Sequence, residues 1–323
     1  MGNGWSKDMP VLVTGAAGLI ASGITRKLVE RGETVIALDR ISPRCRLEDL
    51  LEDGKIKAVE ADVTDRSAIE AAISENGVDR VIHTAAVLPP TSEEDPRNGC
   101  DVNIGGTNNI FDVASQHGVS RVVYPSSIAV YGDQSDHGDA TLDEKSPCFP
   151  FSLYGVAKQA NELAARAYKA NAGLDCLGLR ICTVFGHGRV TGRSAAASAM
   201  ISAAAVGEAY VSKVKAAQTS AYIYVEDVVE CMIRLAFADV LERRIYCVPT
   251  RRASLGEIAE RVRLFLPDAD ISFAPDAASF EQINRMDGGR FERDFGYTPP
   301  PLEDRIRHQI NVARRAQQLP PLS

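Results

Sequence analysis

The sequence lacks several features that would place it in a specialised class of protein. None of its seven cysteines forms a Cys-x-x-Cys pair, and such a scattered set is typical of reduced thiols rather than of a disulfide framework or a metal site. No apolar run is long enough to cross a membrane, and the first residues lack the apolar core of a signal peptide. The net charge of −7 argues against nucleic acid or an anionic membrane as a partner. We therefore expect a cytoplasmic protein with no metal, nucleic-acid or membrane partner.

The first six residues, Met-Gly-Asn-Gly-Trp-Ser, fit the loose pattern for N-myristoylation. The pattern is common by chance, and we expect a disordered tail. Whether Gly2 is modified stays open at this point.

One short stretch, residues 9–22, carries the first functional signal. Its apolar run Val11–Val13 is typical of a central parallel strand that is covered on both faces. Gly15 then permits a tight turn, and Gly18 lets the backbone approach a pyrophosphate. The small side chain of Ala21 allows close packing of the helix that follows, whose N-terminal amides and positive dipole end would face that phosphate.

A second predicted strand decides between a phosphate site and a turn that binds nothing. Residues 35–38 are apolar and lead to Asp39, 24 positions after Gly15. A carboxylate at this place is suited to bind the 2′-hydroxyl of an adenosine ribose. The combination favours a dinucleotide site over an empty turn.

Strands and helices alternate through the first part of the chain, which predicts βαβ units and an α/β fold with a Rossmann-type doubly wound parallel sheet. Further strands are predicted at 56–61, 80–84, 120–124 and 175–180, and helices at 66–74, 96–117 and 152–171. Asp65 and Ser152 are expected to cap two of these helices, and residues 132–150 to form a surface loop.

The alternation breaks down after Gly186. Helices are predicted at 195–206, 225–237, 254–265 and 302–315, and a strand at 244–248. We expect a dinucleotide-binding domain at 1–186, to which a strand and a helix from 221–250 return. A smaller C-terminal substrate-binding lobe is expected mainly at 187–323.

Tyr154 and Lys158 lie four residues apart in a predicted helix, so their side chains should share one face. Such a pair is usually structural, but Ser127 lies at the carboxyl end of a predicted strand, the edge at which ligands of open α/β sheets bind. We expect Tyr154 to take a proton from a substrate alcohol, Lys158 to lower the pKa of the phenol and bind the nicotinamide ribose, and Ser127 to hold the substrate oxygen.

The chemistry of the phenol links this role to the cofactor. Its reference pKa of about 10 must fall by roughly 3 to give a base near neutral pH, which corresponds to about 4 kcal/mol. A neighbouring ammonium contributes a shift of about 1–3, so Lys158 alone is marginal. The positive charge of an oxidised nicotinamide would supply the remainder.

With these residues in place, the sequence resembles the extended short-chain dehydrogenase/reductase family, also called the NAD-dependent epimerase/dehydratase family. The resemblance covers nearly the whole chain. It is carried by the following motifs: Thr14-Gly-Ala-Ala-Gly-Leu-Ile-Ala21, Asp39, Asp62-Val63, His83-Thr-Ala-Ala86, Asn103-Ile-Gly-Gly-Thr107, Ser126-Ser-Ile-Ala-Val-Tyr-Gly132, Tyr154-x-x-x-Lys158, Leu179-Arg180, Val184-Phe-Gly186 and Tyr224-Val-Glu-Asp-Val228.

The resemblance implies Ser127, Tyr154 and Lys158 as the catalytic residues and NAD as the cofactor. Asp62 and Val63 would flank the adenine, and residues 84–86 would line the path to the nicotinamide. The expected cofactor-binding residues are Gly15, Ala17, Gly18, Leu19, Ile20, Asp39, Arg40, Asp62, Val63, Thr84, Ala85, Ala86, Asn103, Tyr154, Lys158 and Ile181. Asp39 favours NAD, because a carboxylate repels the extra phosphate of NADP, whereas Arg40 and Arg44 keep NADP as the lesser alternative. The resemblance also implies a homodimer joined by two long helices of each subunit.

Departures from the family pattern bear on the substrate. Sugar-nucleotide 4,6-dehydratases carry Thr-Asp-Glu where this chain has Ser127-Ile128-Ala129, which argues against dehydration. Nucleotide-sugar enzymes commonly have Asn in place of Thr183 and Arg in place of Ser220, near the diphosphate. Five arginines offer replacements with weak support: Arg189, Arg193, Arg251, Arg252 and Arg290. The candidate substrate residues are Ser127, Ile128, Thr183 and Arg193.

Three functions remain open from the sequence. The first is an NAD-dependent dehydrogenase or reductase that acts on a small polar alcohol or ketone such as a sugar acid, polyol or hydroxy acid. The second is a nucleotide-sugar 4-epimerase with tightly bound NAD. The third is an NAD-binding regulator without catalysis, which the intact Ser127, Tyr154 and Lys158 disfavour.

Overall fold

The computed structural model describes residues 9–189, 192, 195–239 and 241–322. Gly2, whose modification stays open, and the candidate substrate residue Arg193 lie outside these residues. Within them, no helix is both long and apolar enough to cross a membrane.

A seven-stranded sheet confirms the predicted Rossmann-type fold. Its strand order is β10-β6-β5-β4-β1-β2-β3, and the strands are β1 (Val11–Thr14), β2 (Val35–Asp39), β3 (Ile56–Glu60), β4 (Arg80–His83), β5 (Arg121–Ser127), β6 (Cys176–Ile181) and β10 (Ile245–Cys247). β1 pairs in parallel with β2 and with β4. The chain order reverses between these two neighbours, and ligands of open α/β sheets bind at such a switch point.

Helices connect these strands as βαβ units. They are α1 (Leu19–Glu30), α2 (Arg44–Glu52), α3 (Arg66–Ser74), α4 (Thr91–Glu94), α5 (Pro96–Cys100), α6 (Thr107–Gln116), α7 (Leu153–Ala172) and α9 (Val225–Phe237). The predicted caps are confirmed: the Asp65 carboxylate accepts hydrogen bonds from two amides of α3, and the Ser152 hydroxyl accepts one from Gly155. The core between helices and sheet includes Leu12, Val81, Phe111 and Tyr124.

This region differs from the prediction in several places, one of which is the short helix α4, which was not predicted. α2 was not predicted; it covers a charged segment in which only Leu47 and Leu50 are buried. The long helix expected at 96–117 is divided by a π-helical segment, Asp101–Gly106. Gly106, the last residue of this segment, packs so closely on Val63 that a Cβ there would lie 2.5 Å from Cγ2 of Val63.

The described residues divide into two compact units, which lie within the ranges 1–130, 148–181 and 228–246 for the first and 131–147, 182–227 and 247–323 for the second. The second unit holds a three-stranded sheet of order β11-β9-β7 and a pair formed by β12 and β8. Its strands are β7 (Thr183–Phe185), β8 (Tyr210–Val214), β9 (Thr219–Tyr224), β11 (Arg251–Ser254) and β12 (Ile271–Ala278), and its helices are α8 (Ala196–Ala205), α10 (Leu255–Phe265), α11 (Gly289–Phe295) and α12 (Leu302–Ala316). The helices α8, α10 and α12 were predicted, whereas β7, β8, β9, β11, β12 and α11 were not.

Candidate active site

The glycine turn after β1 lies against the carboxyl end of β4. Gly15 has a φ of +72°, and a Cβ at this position would come within 2.8 Å of the Ala85 amide nitrogen. Thr84 also joins the ends of β1 and β4, because its hydroxyl donates a 2.8 Å hydrogen bond to the Thr14 carbonyl. Gly15 therefore meets both requirements of the predicted tight turn, a left-handed backbone and the absence of a side chain.

Asp39 reaches this turn from the end of β2. Its Oδ2 accepts a 3.0 Å hydrogen bond from the Ala17 amide, and its Oδ1 accepts one from the Ile41 amide. Gly18 occupies the N-cap of α1, where no side chain among the described residues supplies a cap. The turn thus combines an exposed helix N-terminus, suited to phosphate, with a carboxylate suited to ribose hydroxyls.

Other predicted cofactor residues surround the same sheet edge. Asp62 and Val63 follow β3, with Val63 buried and the Asp62 carboxylate accepting from the Thr64 amide. Ala17, Leu19, Ile20, Thr84, Ala85 and Ala86 are partly exposed, and Arg40 is exposed. Asn103 is 1% exposed and holds Val87 through two bonds: its Oδ1 accepts from the Val87 amide, and its Nδ2 donates to the Val87 carbonyl. Asn103 therefore fixes the chain that leaves β4.

The residues predicted for catalysis lie at the start of α7 and at the end of β5. The Lys158 Nζ lies 5.4 Å from the centroid of the Tyr154 ring. Tyr154 is half-buried and Lys158 is 3% exposed. Gly155 packs against the turn that follows Ser127, since a Cβ on Gly155 would lie 2.5 Å from the Ala129 carbonyl oxygen. The Ser127 hydroxyl accepts a hydrogen bond from the Ala129 amide. The fold thus brings the three residues to one edge of the sheet.

Burial changes the titration of two groups in this region. It lowers the pKa of Lys158 to about 8, so the ammonium form still prevails at neutral pH. Burial, with a smaller effect of the Lys158 charge, lowers the pKa of His83 to about 3. Neutral His83 bridges β1 and α6, because its Nδ1 lies 2.7 Å from the Thr14 hydroxyl and its Nε2 3.0 Å from the Thr107 hydroxyl.

The remaining candidates are Ile181, Ile128 and Thr183. Ile181 is the buried last residue of β6 and pairs in register with Ser127. Ile128 opens the short 3₁₀ turn after β5. Thr183 is buried on β7 of the second unit, opposite Tyr222 of β9.

Comparison with known proteins identifies the family. Residues 11–248 match the sequence pattern described as the NAD dependent epimerase/dehydratase family. The chain belongs to this family. The predicted resemblance is therefore confirmed, and with it the assignment of the chain to NAD-dependent enzymes.

Members of this family and related structures include two kinds of enzyme. A UDP-glucose 4-epimerase of Corynebacterium glutamicum is 32% identical over 179 residues, a match that spans 55% of this chain and 52% of the relative. The structure of a Thermus thermophilus UDP-glucose 4-epimerase in complex with NAD is 25% identical with a TM-score of 0.82, covering 95% of this chain and 100% of that one. A GalE-like L-threonine dehydrogenase from Cupriavidus necator is 26% identical with a TM-score of 0.84, covering 93% and 98%.

A carboxylate at the N-terminus of α7 was not predicted. Glu93, on α4, accepts hydrogen bonds of 3.1 Å from the Leu153 amide and 3.0 Å from the Tyr154 amide. With Ser152 bound to Gly155, the first three amides of the helix are satisfied. Nothing in the spacing indicates this contact, because Glu93 precedes Tyr154 by 61 residues.

Proposed function

We propose that the protein is an NAD-dependent oxidoreductase that interconverts a small polar alcohol and its ketone. Tyr154 is the acid or base, Lys158 lowers the pKa of the phenol and binds the nicotinamide ribose, and Ser127 holds the substrate oxygen. The observation that carries the proposal is the approach of the Lys158 ammonium to the Tyr154 ring beside the Ser127 turn. NAD supplies hydride transfer when bound.

The residues present fit NAD. Gly15, Gly18 and the amides at the start of α1 form an anion site, and Asp39 lies within hydrogen-bond distance of the same turn. Lys158, buried and close to the Tyr154 ring, favours the phenolate over the phenol. Its lowered pKa of about 8 leaves it mostly charged at neutral pH.

The contacts of the arginines favour a substrate without a diphosphate. Arg290 pairs at 2.8 Å with Glu144, whose side chain is 4% exposed, and Arg251 donates to the backbone carbonyls of Thr250 and Pro299. These two candidates are therefore engaged within their own unit, while Thr183 and Ser220 stand where nucleotide-sugar enzymes commonly have Asn and Arg. The similar structure from Cupriavidus necator is named an L-threonine dehydrogenase, and L-threonine is a small amino acid with a hydroxyl group.

A nucleotide-sugar 4-epimerase is the second candidate, favoured by the relatives that carry this name. It would use the same Tyr154 and Lys158 but return the hydride to the other face of the ketone. External NAD separates the two functions, because a dehydrogenase accumulates NADH and an epimerase does not.

A substrate panel tests the proposal. Sugar acids, polyols, hydroxy acids, L-threonine and UDP-sugars are incubated with NAD, and NADH absorbance and sugar interconversion by NMR are recorded, with Tyr154→Phe as control. NADH formation from a small alcohol that Tyr154→Phe abolishes supports the proposal. Interconversion of a UDP-sugar without NADH supports the epimerase, and tight NAD binding without any turnover supports a regulator.

We also propose that the protein forms a homodimer through α7 and the helical segment Pro96–Gln116. Large apolar side chains are exposed on and just before α7: Phe149 by 51%, Phe151 by 65%, Val156 by 45% and Leu163 by 57%. Val156 and Leu163 are seven residues apart and share one helix face. An apolar face of this kind is typical of an interface.

A further inference from the structure

A buried cluster of three side chains joins α7 to β5 and β6. The Arg180 guanidinium binds Glu162 bidentately, with Nε 2.8 Å from Oε1 and Nη2 2.7 Å from Oε2. The Ser126 hydroxyl donates a 2.5 Å hydrogen bond to Oε1 of the same carboxylate. The side chains of Arg180 and Glu162 are each 3% exposed. We refer to Ser126, Glu162 and Arg180 as the Glu162 cluster.

We propose that Glu162 is a positioning residue, which fixes the rotation and height of α7 so that Tyr154 faces Ser127. The proposal rests on the function proposed above, since it treats Tyr154 and Ser127 as reacting groups. Glu162 follows Tyr154 and Lys158 at successive steps of four residues, so the three lie along one side of the helix. Each partner of Glu162 in the sheet directly precedes a site residue: Ser126 precedes Ser127, and Arg180 precedes Ile181.

The physical chemistry of buried ion pairs favours this role over simple stabilisation. Removing a carboxylate and a guanidinium from water costs about as much as their attraction returns, so apolar replacements of similar size are often equally stable. The bidentate geometry instead fixes direction, because a guanidinium and a carboxylate bind in one plane. Glu162 lies about 12 Å along the helix axis from Tyr154, so a small rotation at the cluster moves the phenol.

The same two strands offer a matched control at their opposite ends. Arg121, at the start of β5, donates a 2.7 Å hydrogen bond to Asp175, which directly precedes β6. This pair is largely buried, with side chains 6% and 17% exposed, and Arg244 binds the other oxygen of the Asp175 carboxylate. The pair lies at the amino ends of β5 and β6 and away from Tyr154. Because Arg121 also donates to backbone carbonyls at the end of α9, its replacement should lower the free energy of unfolding without moving α7.

The test compares two variants with the wild type by hydrogen exchange of residues 150–160 and by steady-state kinetics. The cluster variant combines Ser126→Ala, Glu162→Met and Arg180→Met, and the control variant combines Arg121→Met, Asp175→Leu and Arg244→Met, because Arg244 also binds Asp175. In the cluster variant we expect faster exchange at the start of α7 and a kcat lowered about 10- to 100-fold. KM and the Kd for NAD should stay within about threefold of the wild type. The control variant should match the wild type in all of these.

Unchanged exchange at residues 150–160 in a folded cluster variant overturns the positioning role, and so does an equal kcat loss in the control. Absence of wild-type turnover on every compound would instead refute the proposed function, and hydrogen exchange would still decide the positioning role. If the cluster variant does not fold, Ser126→Ala alone keeps the ion pair. It should then show a smaller change of the same kind in both measurements, and the absence of any change would contradict the inference.

Discussion

The backbone of Gly155 meets the backbone of Ala129 so closely that a Cβ on Gly155 would lie 2.5 Å from the Ala129 carbonyl oxygen. This contact joins the first turn of α7, which carries Tyr154, to the turn that follows Ser127. The neighbouring atom belongs to the backbone, so it cannot be displaced as easily as the end of a flexible side chain.

Gly155→Ala should therefore lower kcat about 100-fold, because a shift of about 1 Å between reacting groups has an effect of this size. Kinetics on the substrate found in the panel measure the change. Gly207→Ala is a matched control for the loss of glycine, since no atom lies within 4 Å of its Cβ position; its φ of +78° makes some loss of stability expected but no loss of kcat. Full activity of Gly155→Ala would show that this contact does not set the position of Tyr154 relative to Ser127.

Asp39 is expected to set the preference for NAD. Asp39→Asn keeps an acceptor for the Ala17 amide but removes the charge that repels the 2′-phosphate of NADP. We expect KM for NAD to rise and KM for NADP to fall, each by about tenfold. Steady-state kinetics with both cofactors measure the ratio, and an unchanged ratio would show that Asp39 does not face the ribose.

Some residues of the candidate site could be predicted from the sequence because their places depend on local structure. Gly15, Asp39 and the pair Tyr154 and Lys158 depend on turns, strand ends and helical spacing within short segments, so their places could be predicted. Contacts between distant segments could not: Glu93 reaches Tyr154 across 61 residues, and Glu162 meets Arg180 only once α7 packs on the sheet. The sequence indicates of Glu162 only that it lies four residues after Lys158, and therefore on the same side of the helix.

The second unit was predicted less well for a physical reason. Buried parallel strands of the main sheet form continuous apolar runs such as Val11–Val13, whereas β8 buries only Ser212 and β12 only Ile271 and Ala277, so neither strand carries an apolar run. The helices α10 and α12 have stronger periodic patterns, α8 is rich in alanine, and Ser254 with Glu257 forms a capping box at the start of α10. The substrate residues of this unit consequently stay predictions.

Burial of Lys158 should be visible in the pH dependence of stability. Because its pKa falls from 10.5 to about 8 on folding, the unfolded chain binds more protons between these values, and stability rises with pH across this window. The penalty is fully present below pH 8 and amounts to about 3 kcal/mol. Lys158→Met should therefore be more stable than the wild type below pH 8, and the difference should shrink toward pH 10.5. Urea unfolding of the NAD-free protein measures it, and a constant difference would contradict the burial.

His83 should have an analogous effect in acid. Its pKa is lowered from 6.5 to about 3, so the unfolded chain takes up a proton first as the pH falls. Stability should therefore decrease from about pH 6.5 to pH 3, by up to about 5 kcal/mol. His83→Gln should unfold with a flatter dependence on pH in this range. Parallel curves for the two proteins would show that folding does not lower the pKa of His83.

The proposed dimer is tested by charge on its apolar face. Leu163 on α7 is 57% exposed. Leu264 on α10 is a matched control, because it is similarly exposed, by 71%, but lies outside the proposed interface. Leu163→Glu should shift the protein toward the monomer in sedimentation velocity, because a carboxylate buried between two apolar helices lacks a partner. Leu264→Glu should leave the association unchanged. A wild-type monomer, or equal effects of the two substitutions, would refute the α7 interface. The exposed apolar side chains of Phe151 and Val156 would then not mark a contact between subunits.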